Sequence, residues 1–275
     1  MVAFPNCKIN LGLNIINKRP DGYHNLETIF YPIEINDVLE IITNQDDPED
    51  EYISYTASGN HIEGDLTQNL CYKAYHLLKK DFPEIPAIKM HLHKNIPMGA
   101  GLGGGSSDGA FALNLLNHKF QLALSQLQLI NYALQLGSDC PFFILNKPSV
   151  GKSRGEVLTE IELDLRQYQF LIVNPGIHIS TKWAFSQIKP SKAFYPIEET
   201  ILIPIGQWKG ILQNDFERPV IEHYPEIGEL INHLYNNGAI YASLSGSGST
   251  VYGIYPKGLI NLPKFPKHYY VKVVD

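Results

Sequence analysis

Apolar and polar residues alternate over residues 4–16. Cys7, Ile9, Leu11, Leu13 and Ile15 fall on one face, and Lys8, Asn10, Gly12 and Asn14 on the other. A period of two predicts a strand with one buried side. Turn chemistry follows at 20–25 (PDGYHN), where proline fixes one φ and glycine frees the next. Residues 27–42 read as further strands, and the acidic run 44–50 (NQDDPED) as a solvated loop. Residues 67–80 (TQNLCYKAYHLLKK) read as a helix with Thr67 as candidate N-cap and lysines at its end. Residues 87–93 (AIKMHLH) alternate again as a strand. Helices are expected from about Ser106 to Asn117 and over 122–136, the second ending near Gly137. Strands are expected near 141–145, 157–163 and 168–173, helices near 181–187 and 221–236, and strands at 239–244, 250–255 and 269–274. The mixture lacks a regular βαβ repeat. It predicts an α+β fold of two layers rather than a doubly wound sheet.

The chain has 275 residues, which suits one large domain or two closely packed halves. It is 44% hydrophobic and 18% charged, so it can bury a core. The net charge is −6, and no segment gathers the Lys/Arg cluster that a nucleic acid or an anionic membrane calls for. Neither is therefore expected as a partner, and no obligate protein partner is indicated. Cys7, Cys71 and Cys140 are odd in number and far apart, with no CxxC pair. A zinc site and a disulfide framework are not indicated, and a reducing, cytoplasmic setting fits. The opening residues MVAFPNCKINLGL lack a basic start and a long apolar run, so no signal peptide is expected. No apolar stretch approaches the ~18 residues of a membrane span.

The strongest chemical signal lies between a strand and a helix, in residues 95–110 (NIPMGAGLGGGSSDGA). Closely spaced glycines let backbone N–H groups converge on a bulky anion. The unpaired amides of the following helix add donors. The helix dipole contributes only ~0.3–1 kcal/mol at an exposed site, so tight binding needs the whole nest of amides. A Walker A loop is ruled out, because no lysine follows the glycines. Gly99, Gly101 and Gly104 fit the dinucleotide fingerprint, but 109–138 contains no Asp or Glu to hold a ribose. A merely flexible turn does not explain five glycines and two serines between residues 99 and 107.

Other residues are candidates with open alternatives. Lys8 and Asn10 project the same way from one strand, as a site or as an ordinary solvated face. Asp139, in GSDCPFF, sits where a turn aspartate would bond nearby amides, or where a catalytic one could act. Tyr23 and His24 follow a turn and could hold a flat base by stacking and hydrogen bonds, or be an edge tyrosine and a surface histidine. Phe185 alone reads as core. Ser245–Thr250 (SGSGST) joins two strands and could be a plain hairpin turn. His91 and His93 share a strand face, but no third ligand lies nearby in sequence, so they read as surface positions. The stretch Asn214-Asp215-Phe216-Glu217 suggests no chemistry of its own.

PMGAGLGGGSSDGA (97–110) resembles the phosphate loop of the GHMP kinases, NCKINLGL (6–13) resembles their first motif, and SLSGSGSTVYGIY (243–255) their last. PDGYHNLETIF (20–30) and GSDCPFF (137–143) resemble one branch of that family, which phosphorylates a cytidine diphosphate-linked polyol in non-mevalonate isoprenoid precursor synthesis. The resemblance implies a two-lobed α+β GHMP kinase fold. Its N-terminal lobe would be like ribosomal protein S5 domain 2 and its C-terminal lobe ferredoxin-like, over 1–150 and 151–275, with one active site between them. It implies ATP as cofactor, with Mg2+ on its phosphates. ATP is expected on Pro97, Met98, Gly99, Ala100, Gly101, Leu102, Gly103, Gly104, Gly105, Ser106 and Ser107. Lys8 is then expected to be catalytic, stabilising charge on the moving phosphoryl group, and Asp139 to orient the acceptor hydroxyl and take its proton late. Asn10, Tyr23, His24, Thr181 and Phe185 are expected to bind the small-molecule acceptor, and the loop Ser245, Gly246, Ser247 and Gly248 to lie against the phosphate region. Two departures stand out. Cys7 replaces the usual alanine, and the glutamate that several relatives use to hold magnesium after the glycine loop is missing. The metal's protein ligands are thus left unassigned beyond a hydroxyl of Ser106 or Ser107.

Overall fold

The computed structural model describes residues 1–44, 52–62, 64–190, 196–258 and 263–275. Most of the acidic run at 44–50 therefore lies outside the described residues. In chain order the strands are β1 (Val2–Ala3), β2 (Asn6–Lys18), β3 (His24–Asn36), β4 (Val38–Thr43), β5 (Ile53–Gly59), β6 (Ile88–Lys94), β7 (Ser149–Ser153), β8 (Val157–Glu160), β9 (Tyr168–Asn174), β10 (Tyr241–Leu244), β11 (Val251–Pro256) and β12 (Tyr270–Val274). The helices are α1 (Leu70–Asp81), α2 (Gly104–Lys119), α3 (Gln126–Leu136), α4 (Cys140–Leu145), α5 (Thr181–Gln187), α6 (Ile197–Thr200), α7 (Glu217–His223) and α8 (Pro225–Asn236).

Packing divides the chain into two compact units. The first holds Met1–Cys7, Glu34–Met98 and Gly103–Asn146; the second holds Lys8–Ile33, Gly99–Leu102 and Lys147–Asp275. This division does not follow a single cut at residue 150, because most of β2 and β3 pack with the later residues. Strand pairing is the reason: Leu26–Phe30 of β3 pair antiparallel with β7.

In the first unit the sheet runs β1-β4-β6-β5. β5 pairs parallel with β6, Ile53 opposite Ile88. Parallel neighbours need a crossover, and α1 supplies it. α1 starts where the Asn69 side chain accepts from the amides of Cys71 and Tyr72, and it carries Lys79 and Lys80 in its last turn. Its buried residues Cys71, Ala74, Tyr75 and Leu78 recur at helical spacing, forming the stripe that packs on α2. In the second unit one sheet runs β2-β3-β7-β8 and the other β10-β11-β9-β12. Ile227, Leu230 and Leu234 of α8 share a core with Leu171, Val173, Leu244 and Val251.

Several expectations need correction. Residues 140–145 form the helix α4, not a strand: Pro141 stands in its first turn, where its missing N–H is harmless. The helix expected over 221–236 is two, α7 and α8, parted at Tyr224 because Pro225 opens the second. Thr67 lies in a short 3-10 turn capped by Asp65, and Asn69 caps α1 instead. β2 is buried on both faces from Asn6 to Leu13, so Lys8 and Asn10 do not face water. β5 and β7 were not expected. No helix among the described residues is long and apolar enough to cross a membrane.

Candidate active site

The second unit gathers a polar network around Lys8. Lys8 is 4% exposed and Asn10 1%. The Lys8 ammonium donates to Asn10 Oδ1 and, at 3.1 Å, to the Gly101 carbonyl. Asn10 in turn donates from Nδ2 to Thr28 Oγ1 at 2.9 Å. Its amide is thus engaged inside the protein, on the lysine and on β3. The Lys8 amide donates to the Leu102 carbonyl at 3.0 Å, so β2 and residues 99–102 are joined along the backbone. Lys8 Nζ also stands 5.4 Å from the centre of the Phe30 ring.

The loop between β10 and β11 completes this network. Ser245 Oγ donates to the Gly101 carbonyl at 2.9 Å and accepts from the Asn10 amide at 3.3 Å. The two backbones touch: a Cβ on Gly101, where φ is +80°, would lie 2.1 Å from the Ser245 carbonyl oxygen. Only glycine fits there. Farther along, the Thr250 amide donates to the Ala100 carbonyl at 3.2 Å.

In the glycine loop itself, Ala100 and Leu102 are buried and anchor it, while Met98 and Gly99 are exposed. Gly99, Gly101 and Gly103 all take positive φ. In the first unit, α2 starts at Gly104 with Gly103 as N-cap and no side-chain cap, leaving its first amides open to an anion. Ser107 Oγ is buried without a hydrogen-bond partner. Beneath this helix start lies a buried charge cluster. Lys94 Nζ pairs with Asp37 and, at 2.6 Å, with Asp108 Oδ2. Asp37 Oδ1 also accepts the amides of Asn95 and Ile96, at 2.6 and 2.8 Å, whereas Asp108 Oδ1 has no partner. Burial and the Asp37 charge outweigh the attraction of Lys94 and push the Asp108 carboxyl up to about 8. Burial opposes the Lys94 ammonium, but the two carboxylates outweigh it and its pKa is raised. A Cβ on Gly104 would meet Ile96 at 2.9 Å and Lys94 Nζ at 3.1 Å, so the cluster and the loop are in contact. No spacing rule in the sequence points to residues 37, 94 and 108 together.

Asp139 belongs to the first unit, half-buried at the N-cap position of α4, and its side chain makes no capping bond to that helix. In the second unit, His24 stacks on Phe185 with ring centres 4.9 Å apart and 16° between planes, and Phe185 meets Phe216 edge-on. Burial, helped by Lys18, lowers the His24 pKa, so its ring is neutral near pH 7 and can both donate and accept. Tyr23 is exposed, with the Arg154 guanidinium over its ring. Thr181 Oγ1 lies 3.1 Å from Ser247 Oγ, which ties the start of α5 to the loop after β10. His91 and His93 bond to Thr56 and Ser58. Among the described residues no group of three or more His, Cys, Asp or Glu is arranged to hold a metal ion.

In the second unit a buried lysine is held on a carbonyl of the glycine-rich segment, and family models give the class of protein to which the chain belongs. The model for the GHMP kinases N terminal domain matches residues 69–147, and that for the GHMP kinases C terminal matches 201–261. The chain belongs to the GHMP kinases, and its fold is their two-lobed fold. A protein of Bacteroides thetaiotaomicron named 4-diphosphocytidyl-2-C-methyl-D-erythritol kinase is 52% identical over 94% of each chain. A namesake from Azobacteroides pseudotrichonymphae is 50% identical, again over 94% of each. A crystal structure of 4-(cytidine 5'-diphospho)-2C-methyl-D-erythritol kinase superposes with a TM-score of 0.76 at 28% identity, covering 92% of this chain and 90% of that one. The homoserine kinase of Cytophaga hutchinsonii shares the fold at a TM-score of 0.68 and 14% identity, over 98% and 95% of the two chains.

Proposed function

We propose that this chain transfers the γ-phosphoryl group of ATP to the 2-hydroxyl of 4-diphosphocytidyl-2-C-methyl-D-erythritol, in the cytoplasm, as a step of non-mevalonate isoprenoid precursor synthesis. The relatives that share half of its residues over nearly the whole length support the substrate. The observation that carries the chemistry is the buried Lys8 ammonium held on the Gly101 carbonyl of the glycine loop.

ATP, with magnesium on its phosphates, supplies the phosphoryl group. Residues 97–107 suit such a polyanion: three glycines at positive φ, an uncapped helix start and an unsatisfied buried hydroxyl on Ser107. Ser106 or Ser107 offers the metal a hydroxyl oxygen, and the described residues supply no carboxylate cluster for it. Phosphoryl transfer asks a protein mainly for positioning and charge stabilisation. Lys8 provides the positive charge, and Asn10 orients it through Oδ1. Asp139 orients the acceptor hydroxyl and takes its proton late in the transfer. Tyr23, His24 and Phe185 take the cytosine end by stacking and hydrogen bonding, a role that the neutral His24 ring suits. Thr181 and the Ser245–Gly248 loop line the path between base and phosphates.

An ADP-release assay with MgATP tests this reading, comparing the diphosphocytidyl acceptor with homoserine and mevalonate. Turnover is expected with the cytidyl compound alone. Lys8→Ala and Asp139→Asn are expected to fold and to lose turnover. Near-parental turnover by folded Asp139→Asn would remove Asp139 from the mechanism. Turnover only with homoserine or mevalonate would remove the cytidine pocket.

A further inference from the structure

The Asn214-Asp215-Phe216-Glu217 stretch has no part in the reading above, yet the structure gives it a hold on the elements that carry Lys8. Two groups of contacts extend from it. One reaches β2. The Leu13 amide donates to the Gln213 carbonyl at 2.9 Å, and the Asp215 amide donates back to the Leu13 carbonyl at 2.8 Å. Asp215 Oδ2 also accepts the Ile15 amide at 2.6 Å.

The other group reaches the loop after β10. Asn214 is 3% exposed, and its Nδ2 donates to the carbonyls of Leu244 and Gly246, both at 2.8 Å. Its Oδ1 accepts the Phe216 amide at 3.0 Å, which fixes which end of the side chain faces the loop. Glu217 Oε1 accepts the Leu244 amide at 2.9 Å and the Ser243 hydroxyl. Residues 243, 244 and 246 are thus held by the buried Asn214 and the half-buried Glu217, and the residue left between the grips is Ser245. The loop needs an outside hold, because Gly246 and Gly248 both take positive φ and glycine leaves the backbone many alternatives.

We propose that Asn214 is a positioning residue for phosphoryl transfer: by holding the carbonyls on either side of Ser245, it sets the Ser245 hydroxyl on the Gly101 carbonyl that also anchors the Lys8 ammonium. The chain of contacts is short and closed. Ser245 Oγ meets Gly101 O at 2.9 Å, Lys8 Nζ meets the same oxygen at 3.1 Å, and the Asn10 amide donates to Ser245 Oγ at 3.3 Å. With the Gly101 and Ser245 backbones in contact, displacement of one moves the other. The inference rests on the reading of Lys8 as catalytic.

A double-mutant cycle on the full chain tests it, with single-turnover rates at saturating MgATP and diphosphocytidyl acceptor. Asn214→Ala is expected to lower the transfer rate roughly 100-fold, the scale of a misplacement of about 1 Å at the reacting centre. The acceptor KM should stay within about twofold. In a Lys8→Ala background the same change should alter the residual rate by less than about twofold. Asn214→Asp keeps the size and the acceptor for the Phe216 amide but turns an oxygen toward the two carbonyls. It should reproduce the loss if Asn214→Ala does not fold. Ser245→Ala leaves the backbone grips intact and should also lower the rate without a matching rise in acceptor KM.

A loss of equal size in both backgrounds would overturn the proposal, since Asn214 would then act independently of Lys8. So would variants that melt earlier but transfer at the parental rate per folded molecule, or a Ser245→Ala protein at the parental rate. Parental transfer by Lys8→Ala would sink the reading of Lys8 and the inference with it. Loss by Lys8→Ala beside a fully active Asn214→Asp would sink the inference alone.

Discussion

Replacing Asp108 with asparagine removes a titrating group from the cluster beneath α2 while keeping its shape. Lys94 is 1% exposed and lies between two carboxyl groups that are almost fully buried. Two carboxylates and one ammonium in a dry site carry an uncompensated negative charge, so one proton is retained. The hydrogen bonds decide where it sits. Asp37 accepts two backbone amides as well as Lys94, whereas Asp108 meets Lys94 and the Asp37 carboxyl, to which it can donate only when protonated. Asp108 holds the proton until about pH 8 in the folded chain, whereas an unfolded aspartate releases it near pH 4. Between those values the folded state binds more protons than the unfolded state. Stability from this group is therefore fully present below about pH 4, falls as pH rises, and is lost by about pH 8. The slope is at most ~1.4 kcal/mol per pH unit, or about 4 kcal/mol between pH 5 and pH 8. Urea unfolding of parent and Asp108→Asn at several pH values in that range, followed by circular dichroism, measures it. The parent's advantage over the variant should shrink steadily as pH rises, and the titrating groups outside this cluster cancel in the difference. Parallel stability curves would refute this placement of the proton. A parent that gained on the variant with rising pH would show an ionised, salt-bridged Asp108 instead.

Gly101→Ala should cost more than the ~1–2 kcal/mol of a left-handed non-glycine residue, because its Cβ would also stand 2.1 Å from the Ser245 carbonyl oxygen. A lower melting temperature and a raised KM for ATP are expected, and an unchanged KM would contradict the loop assignment. Phe185→Ala removes the ring stacked on His24. An aromatic pair is worth ~0.5–1.5 kcal/mol, so the acceptor KM should rise about 2- to 10-fold with the KM for ATP unchanged. An acceptor KM that did not move would take Phe185 out of the pocket.

The parts of the site that depend on local sequence were legible, and those that depend on distant partners were not. Glycines 99, 101 and 103 announce positive φ by their identity, and all three adopt it. Alternation located β2, but it cannot distinguish a polar face in water from one covered by other chain segments. Gly101, Leu102 and Ser245 cover Lys8 and Asn10, and those residues are far away in sequence. CPFFIL reads as a strand because a six-residue apolar run has no periodicity to decide between strand and helix. The Lys94 cluster joins residues 37, 94 and 108, and Asn214 grips carbonyls about thirty positions onward. Neither follows from the spacing of residues within one segment.

The discontinuous second unit bears on the order in which the protein can assemble during synthesis. The first unit has all its residues once Asn146 has been made, but Lys8–Ile33 must wait for β7, which starts at Ser149, and for the loop after β10. At ~10 residues per second that wait is on the order of ten seconds. Throughout it, a long strand whose first eight residues are buried in the folded protein emerges from the ribosome without the partners that cover it, the situation in which nascent chains aggregate or are taken up by chaperones. A fragment starting at residue 147 lacks β2 and β3 altogether, and a fragment ending there keeps them with one side of their sheet unpaired.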